Sequence, residues 1–195
     1  MRITKDQAND NRERVIETAS RLFRERGFDG VSVAELMAAS GFTHGGFYNH
    51  FKSKEALSVE ALRHAFGQMA EDRARAKDWH ELIAGYLSDL HRRSRGKGCP
   101  AAALAGDAAR QTNGVKSAFA GGLEEMIRSF GQRLPRAMRK AARRREAVEM
   151  LCTMAGALAL ARAIPEGDRL AREILQAARD SCGARFSSKT RKRPG

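Results

Sequence analysis

Val-Ser-Val-Ala-Glu-Leu-Met-Ala-Ala-Ser-Gly-Phe-Thr-His-Gly-Gly-Phe-Tyr-Asn-His-Phe-Lys-Ser-Lys-Glu-Ala-Leu, residues 31–57, is the stretch that decides the fold. Ser32 and Glu35 have the spacing of a capping box, in which each side chain accepts the backbone N–H of the other residue. Gly41 is placed to end the helix that follows, because glycine adopts the left-handed conformation at little cost. The pattern predicts a short helix that stops in a tight turn.

The residues after this turn predict a second short helix. Thr43 can cap it, and Phe47 and Phe51 are four residues apart, so both side chains point into one core. Ser53 can then cap a longer helix that starts at about residue 54. Two short helices joined in this way form a helix-turn-helix, which places its second helix in a DNA major groove.

Residues 12–57 resemble the DNA-binding head of the TetR family of transcriptional regulators. The rest of the chain matches that family only in its length and helical character. The resemblance implies a regulator, by default a repressor, that binds a palindromic DNA operator as a homodimer and is released by a small-molecule effector. The matching residues are Gly27-Phe28, Val31-Ser32-Val33, Gly41-Phe42-Thr43 and the run from Phe47 to Leu57.

The expected DNA contacts lie in and around the second short helix. Its first turn is where base edges are usually reached, and the two glycines there would let the backbone approach DNA closely. The aromatic and basic positions that follow resemble the family's contacts to the phosphate backbone. For each side chain, packing or solvation remains the alternative. The predicted set is Ser32, Thr43, His44, Gly45, Gly46, Tyr48, Asn49, His50, Lys52 and Lys54.

Composition agrees with an all-α protein. The 195 residues include only 4 prolines, and no alternating Val/Ile/Thr-rich stretch indicates a strand. The net charge is +13, but residues 1–52 hold 8 Lys/Arg and 7 Asp/Glu, so the DNA-binding region itself is almost neutral. The excess basic residues form clusters at 133–145 and 185–193, which support a polyanion-binding function only weakly.

Other classes of protein find little support in the sequence. The polar N-terminus does not resemble a signal peptide, and the apolar run Met150–Ala161 is too short for a membrane span, so we expect a cytoplasmic protein. Three cysteines without a C-x2-C pair, five scattered histidines and the lack of a P-loop predict neither a metal, nor a cofactor, nor an enzyme active site.

The helix breakers predict three regions and about nine helices. The regions are a helix-turn-helix domain at 9–53, a helical regulatory and dimerisation domain at 54–186 and a disordered basic tail at 187–195. Beyond the two short helices, we expect helices at about 9–26, 54–77, 79–94, 100–111, 114–133, 144–164 and 168–182.

The last two of these helices are the predicted dimer interface, residues 144–182. Small residues between 155 and 161 would let another helix approach closely, although packing within one chain would use the same residues. Cys152 lies in an apolar run and is expected to be buried and inert.

The effector is expected to bind among apolar side chains of the helical domain, which would also serve as an ordinary core. An alternative is a thiol sensor at Cys99, because neighbouring cations and a following helix N-terminus favour a thiolate. The predicted pocket residues are Phe66, Met69, Tyr86, Leu90, Cys99, Leu104, Phe119, Leu123, Met126 and Met154.

Overall fold

A computed structural model describes residues 4–187, and this part of the chain contains helices, turns and no strand. The predicted all-α class is confirmed. None of these helices is both long and apolar enough to cross a membrane. The α-helices are α1 (Lys5–Arg26), α2 (Val33–Ala39), α3 (Lys54–Arg75), α4 (Trp79–Tyr86), α5 (Asp89–Arg93), α6 (Pro100–Ala108), α7 (Asn113–Arg133), α8 (Lys140–Arg162) and α9 (Arg169–Ser187). Two 3-10 helices, His44–Asn49 and Arg95–Lys97, lie between them.

Helix α1 is longer at its N-terminus than predicted, because Thr4 and Gln7 form a capping box there. The Gln7 backbone N–H donates to Thr4 Oγ1 over 3.2 Å. At its other end, Gly27 closes α1 with a φ of 78°, a conformation that glycine adopts most readily. The spacing Thr-x-x-Gln was the local signal for this earlier start.

The single helix predicted at 79–94 is wrong, because the structure has two helices there. Leu87 leaves the helical conformation, and the Ser88 hydroxyl accepts the His91 backbone N–H over 3.0 Å, which caps α5. Serine competes with a continuous helix in this way because its side chain satisfies the first free N–H groups of a new one.

The chain divides into two compact units. The first contains residues up to Met69 together with 95–122, and the second contains 70–94 together with residues from 123 onward. Helices α3 and α7 each contribute residues to both. The core of the first unit includes Phe23, Phe28, Phe47, Leu57 and Leu104, and that of the second includes Met126, Phe130, Met150, Met154 and Leu158.

Three buried arginines connect distant parts of the chain within these units. In the first, Arg24 of α1 donates to the Gly98 carbonyl and to Gln68 Oε1, each over 3.0 Å. In the second, Arg92 and Arg162 donate to backbone carbonyls. Such contacts satisfy helix-end carbonyls that have no partner inside the helix.

In the second unit, α8 packs against α9, and Arg185 of α9 forms ion pairs with Glu146 and Glu149 of α8. The expectation that Cys152 is buried is wrong: its side chain lies on an exposed face of α8. An apolar run in the sequence does not identify its exposed positions, because a helix turns each successive residue by about 100°. The predicted disordered tail lies outside the described residues, apart from Ser187.

Candidate nucleic-acid interface

The candidate interface begins with α2, whose capping box forms as predicted. The Glu35 backbone N–H donates to Ser32 Oγ over 3.2 Å, and the Ser32 backbone N–H donates to Glu35 Oε2 over 2.8 Å. These contacts from Ser32, with Arg26 nearby, lower the pKa of Glu35 below its ordinary value of 4.5. Ser32 is therefore exposed but already engaged in holding the start of α2.

Helix α2 ends in the tight turn that the sequence predicted. Gly41 has a φ of 84°, and its N–H donates to the Ala38 carbonyl over 3.0 Å. The Phe42 N–H donates to the Met37 carbonyl over 2.9 Å. This pair of bonds is the Schellman motif, which satisfies the last helix carbonyls and sets the direction of the chain as it leaves.

The second short helix is a 3-10 helix, His44–Asn49, which we call the recognition helix. Thr43 has the extended conformation of an N-cap, but its side chain makes no capping hydrogen bond, so the predicted cap is wrong. Its two adjacent glycines would weaken an α-helix by about 1 kcal/mol each relative to alanine. At six residues, the segment is longer than most 3-10 helices.

Two phenylalanines anchor the recognition helix in the core, as predicted. Phe47 and Phe51 are 1% and 3% exposed, with ring centroids 5.6 Å apart. The neighbouring Tyr48 is 69% exposed, although its ring meets that of Phe47 edge-on at 5.2 Å. Consecutive residues thus have opposite roles: Phe47 holds the helix, and Tyr48 faces outward.

The predicted DNA-contact residues all belong to the first unit, between Ser32 and Lys54. All ten are exposed or half-buried, and none lies in the core. Within the same range, the Ser53 hydroxyl caps α3 as predicted, since it accepts the Ala56 backbone N–H over 3.1 Å. The exposed members are Ser32, Thr43, His44, Gly45, Tyr48, Asn49 and Lys52, and the half-buried ones are Gly46, His50 and Lys54.

The two glycines of the recognition helix are not required by the protein itself. A Cβ atom at Gly45 would have no atom within 4 Å, and one at Gly46 would make an ordinary contact with Met37 Cε at 3.6 Å. Neither glycine has a positive φ. The fold therefore has room for a Cβ atom at both positions.

Two arginines of α1 contact the aromatic residues around this segment, which sequence reasoning missed. The Arg12 guanidinium lies 4.9 Å from the Phe51 ring centroid and hydrogen-bonds Glu60 Oε2 over 2.6 Å. The Arg14 guanidinium lies 5.2 Å from the Phe42 ring centroid. No local spacing could have identified these pairs, since they join residues far apart in sequence.

The predicted effector residues are divided between the two units, and all except one are buried or half-buried. The exception is Leu90, which is 77% exposed. The first unit contains Phe66, Met69, Cys99, Leu104 and Phe119, and the second contains Tyr86, Leu90, Leu123, Met126 and Met154.

The thiol-sensor alternative is not favoured. Cys99 is 0% exposed, at the N-cap of α6. A sensor thiol must be reached by its oxidant, and a fully covered sulfur is not. The residues that the structure describes also contain no group of three or more His, Cys, Asp or Glu side chains able to hold a metal ion.

Comparison with known proteins identifies the same segment. Residues 15–61 match the family model described as "Bacterial regulatory proteins, tetR family". The chain is 38% identical over 77 residues to the uncharacterized HTH-type transcriptional regulator YerO of Bacillus subtilis (strain 168), which is 40% of this chain and 26% of YerO. It is 38% identical over 58 residues to the HTH-type transcriptional repressor DhaR of Mycobacterium sp. (strain GP1), which is 30% of this chain and 29% of DhaR. The matched segment thus spans less than a third of either relative.

The likeness in fold extends much further along the chain. A crystal structure of a TetR transcriptional regulator from Chloroflexus aurantiacus J-10-fl superposes with a TM-score of 0.77 at 22% identity, covering 94% of this chain and 97% of that one. Nearly the whole chain therefore has the same helical architecture, while the family model matches only residues 15–61.

Proposed function

We propose that the chain is a DNA-binding transcriptional regulator of the TetR family, because residues 15–61 match the model of that family of bacterial regulatory proteins. Its default action is repression of a gene next to a palindromic operator. The proposal rests mainly on the recognition helix. Phe47 packs it into the core, while the side chains of Thr43, His44, Tyr48 and Asn49 around it are exposed to solvent.

The mode of binding follows from the two kinds of residue at this segment. We expect Thr43, His44 and Asn49 to contact base edges, because side chains at the start and along the outer face of a recognition helix reach into the major groove. Tyr48 and Lys54 would contact phosphates, which orient the protein without reading sequence. His50 and Lys52 would add further contacts to the DNA backbone, whereas the Ser32 hydroxyl already donates to Glu35 Oε2 over 2.8 Å.

Selection of bound fragments from the parent genome, followed by footprinting, tests this proposal directly. We expect a short palindrome protected over both halves. Tyr48→Ala should weaken operator binding by roughly tenfold while leaving the fold intact, since this side chain is 69% exposed. Phe47→Leu is the matched control at the adjacent core position and should lower stability instead. A protein that is folded but enriches no DNA sequence would contradict the proposal.

Homodimerisation is part of the proposed function, because a palindromic operator needs two recognition helices related by a two-fold axis. We place the interface in residues 144–182, on the outer faces of α8 and α9. Leu160 and Leu170 support this placement, since they are 60% and 50% exposed in the single chain. Large apolar side chains on a surface favour burial by a partner.

The proposed function also includes control of DNA binding by a small-molecule effector. The effector can change DNA affinity only if it binds the DNA-competent and the released states unequally. The buried aromatic and sulfur-containing side chains of the helical region favour binding of an apolar or amphipathic ligand. Within the second unit these are Tyr86, Met126 and Met154; within the first they are Phe66 and Met69, with the half-buried Phe119 beside Phe66.

A further inference from the structure

We propose that Arg14 of α1 is a phosphate-binding residue that acts at the entrance of the recognition helix. This inference rests on the proposed DNA-binding function and adds a contact from a helix outside the helix-turn-helix. It concerns positioning of the head on any duplex rather than recognition of a base sequence.

The side chain of Arg14 is held over the turn between α2 and the recognition helix. Its Nη2 donates to the Ser40 carbonyl over 3.3 Å, and its guanidinium lies 5.2 Å from the centroid of the Phe42 ring. A Cβ at Gly41 would lie 3.5 Å from the same Nη2. The three residues that Arg14 approaches therefore lead directly into Thr43, where the recognition helix begins.

This geometry leaves most of the guanidinium available to an outside acceptor. The group has five N–H donors, and within the described residues it has one acceptor, the Ser40 carbonyl. Arg14 is also exposed. The cation–π contact with Phe42 holds the group beside the turn without using its N–H donors.

The other arginines of α1 have a different electrostatic environment. Arg12 is paired with Glu60, Arg21 with Glu25 and Arg26 with Glu35. Arg24 is buried against Ser20, Gln68 and Gly98. Arg14 makes no ion pair in the part of the chain that the structure describes, so its charge is not neutralised there by a carboxylate.

The position of this charge explains how an almost neutral head would bind a polyanion. Lys52 and Lys54 follow the C-terminal end of the recognition helix, and Arg14 lies beside the turn at its other end. Contacts from these cations to phosphates would orient the protein on DNA without reading its sequence. The contact should therefore contribute to all DNA binding alike.

The test measures binding of the full chain to a fluorescein-labelled mixed-sequence duplex of about 30 base pairs, at several KCl concentrations between roughly 50 and 200 mM. For Arg14→Ala we expect binding about fivefold weaker, and a plot of log affinity against log salt that is shallower by about 0.9, the slope of one lost phosphate contact. Because this probe has no defined operator, the result does not depend on knowing one.

Two further variants make the outcome decisive. Arg21→Ala is the matched control: it lies two turns along α1, removes the same charge, and its partner is Glu25. It should change neither affinity nor slope. Arg14→Lys should restore part of the slope but not the full affinity, because lysine keeps the charge and lacks the planar, multi-donor guanidinium.

Equal effects of Arg14→Ala and Arg21→Ala would overturn the inference, since both would then reflect general charge alone. An Arg14→Ala variant that binds like the unmodified protein would also overturn it. Failure of the unmodified protein to bind any duplex would instead contradict the proposed function. Circular dichroism of each variant confirms that the helical fold is retained.

Discussion

Arg92 and Arg162 cap each other's helices. Arg92, near the end of α5, donates Nε to the Ala161 carbonyl over 2.7 Å and Nη2 to the Ile164 carbonyl over 2.8 Å, at the end of α8. Arg162, the last residue of α8, donates Nη2 to the His91 carbonyl over 3.0 Å, at the end of α5. Each cation thus lies at the negative end of the other helix, where the dipole favours it.

Removing one member of this pair should destabilise the protein strongly. Arg92→Ala leaves buried helix-end carbonyls without their donor, and we expect the free energy of unfolding to fall by about 2–4 kcal/mol. Arg93→Ala, at the adjacent exposed position, should change it by no more than about 0.5 kcal/mol, because its pairing with Asp89 is solvated. Urea unfolding followed by circular dichroism compares the two. Similar values for both would show that the caps contribute little.

Two adjacent glycines of α7 should respond oppositely to alanine. At Gly122 a Cβ would lie 2.1 Å from Cδ2 of the buried Phe66 ring, whereas at Gly121 no atom lies within 4 Å. We expect Gly122→Ala to destabilise by about 1–3 kcal/mol through overpacking. Gly121→Ala should stabilise by up to about 1 kcal/mol through helix propensity. Thermal unfolding of both variants checks this; a stabilised Gly122→Ala would mean that the Phe66 ring moves at little cost.

Stability should depend on pH through His91. Burial lowers the pKa of His91 below its ordinary value of 6.5, and Nδ1, 2.6 Å from the Tyr86 carbonyl, must donate to it. Below pH 6.5 the unfolded chain therefore binds a proton that the folded chain does not, and the free energy of unfolding decreases as the pH falls. We expect His91→Gln to lose part of this decrease between about pH 7 and pH 5, as measured by urea unfolding. An unchanged pH dependence in that variant would assign the effect to other groups.

Charge placed on the outer face of α8 should separate the proposed dimer. Leu160 is 60% exposed in the single chain, so Leu160→Glu should leave each chain folded and weaken self-association and operator binding together. Sedimentation at micromolar concentration, beside operator titrations, measures both effects. Lys116→Glu, a charge change at an exposed position of α7, is the control. Full operator affinity in a dissociated Leu160→Glu protein would exclude the dimeric model.

Enlarging core side chains should alter the response to an effector more than it alters operator affinity. Met126, in the second unit, is 0% exposed, and Phe119, in the first, is half-buried beside Phe66. Tryptophan at either position would fill space that a ligand needs, at a cost of about 1–3 kcal/mol of stability. The measurement is release of operator DNA by a compound that releases the unmodified protein. A response unchanged in both variants would place the effector site elsewhere.

Local signals in the sequence were sufficient to predict the elements that position the recognition helix. Ser32 and Glu35 form their capping box because the partners are three residues apart, and Gly41 ends α2 because one residue determines that turn. The core positions Phe47 and Phe51 followed from their spacing. Each of these features is decided within a single turn of chain.

Features that depend on tertiary contacts could not be predicted in the same way. The cation–π contact of Arg14 with Phe42 joins α1 to the turn after α2, and no periodicity indicates it. The sequence also did not indicate which face of α8 is exposed. Leu158 is 0% exposed and Leu160 is 60% exposed, although both belong to one apolar run. The 3-10 winding of the recognition helix was also not indicated by the sequence, since the spacing of Phe47 and Phe51 is that of an α-helix.

The open space around Gly45 separates the demands of folding from those of DNA binding at a single position. A Cβ built there would have no neighbouring atom within 4 Å, so Gly45→Ala has room in the fold, and alanine has a higher helix propensity than glycine. A methyl group at this position should therefore leave the fold intact while occupying space that a DNA backbone would need. Operator affinity lost in that variant would measure how closely the two backbones approach.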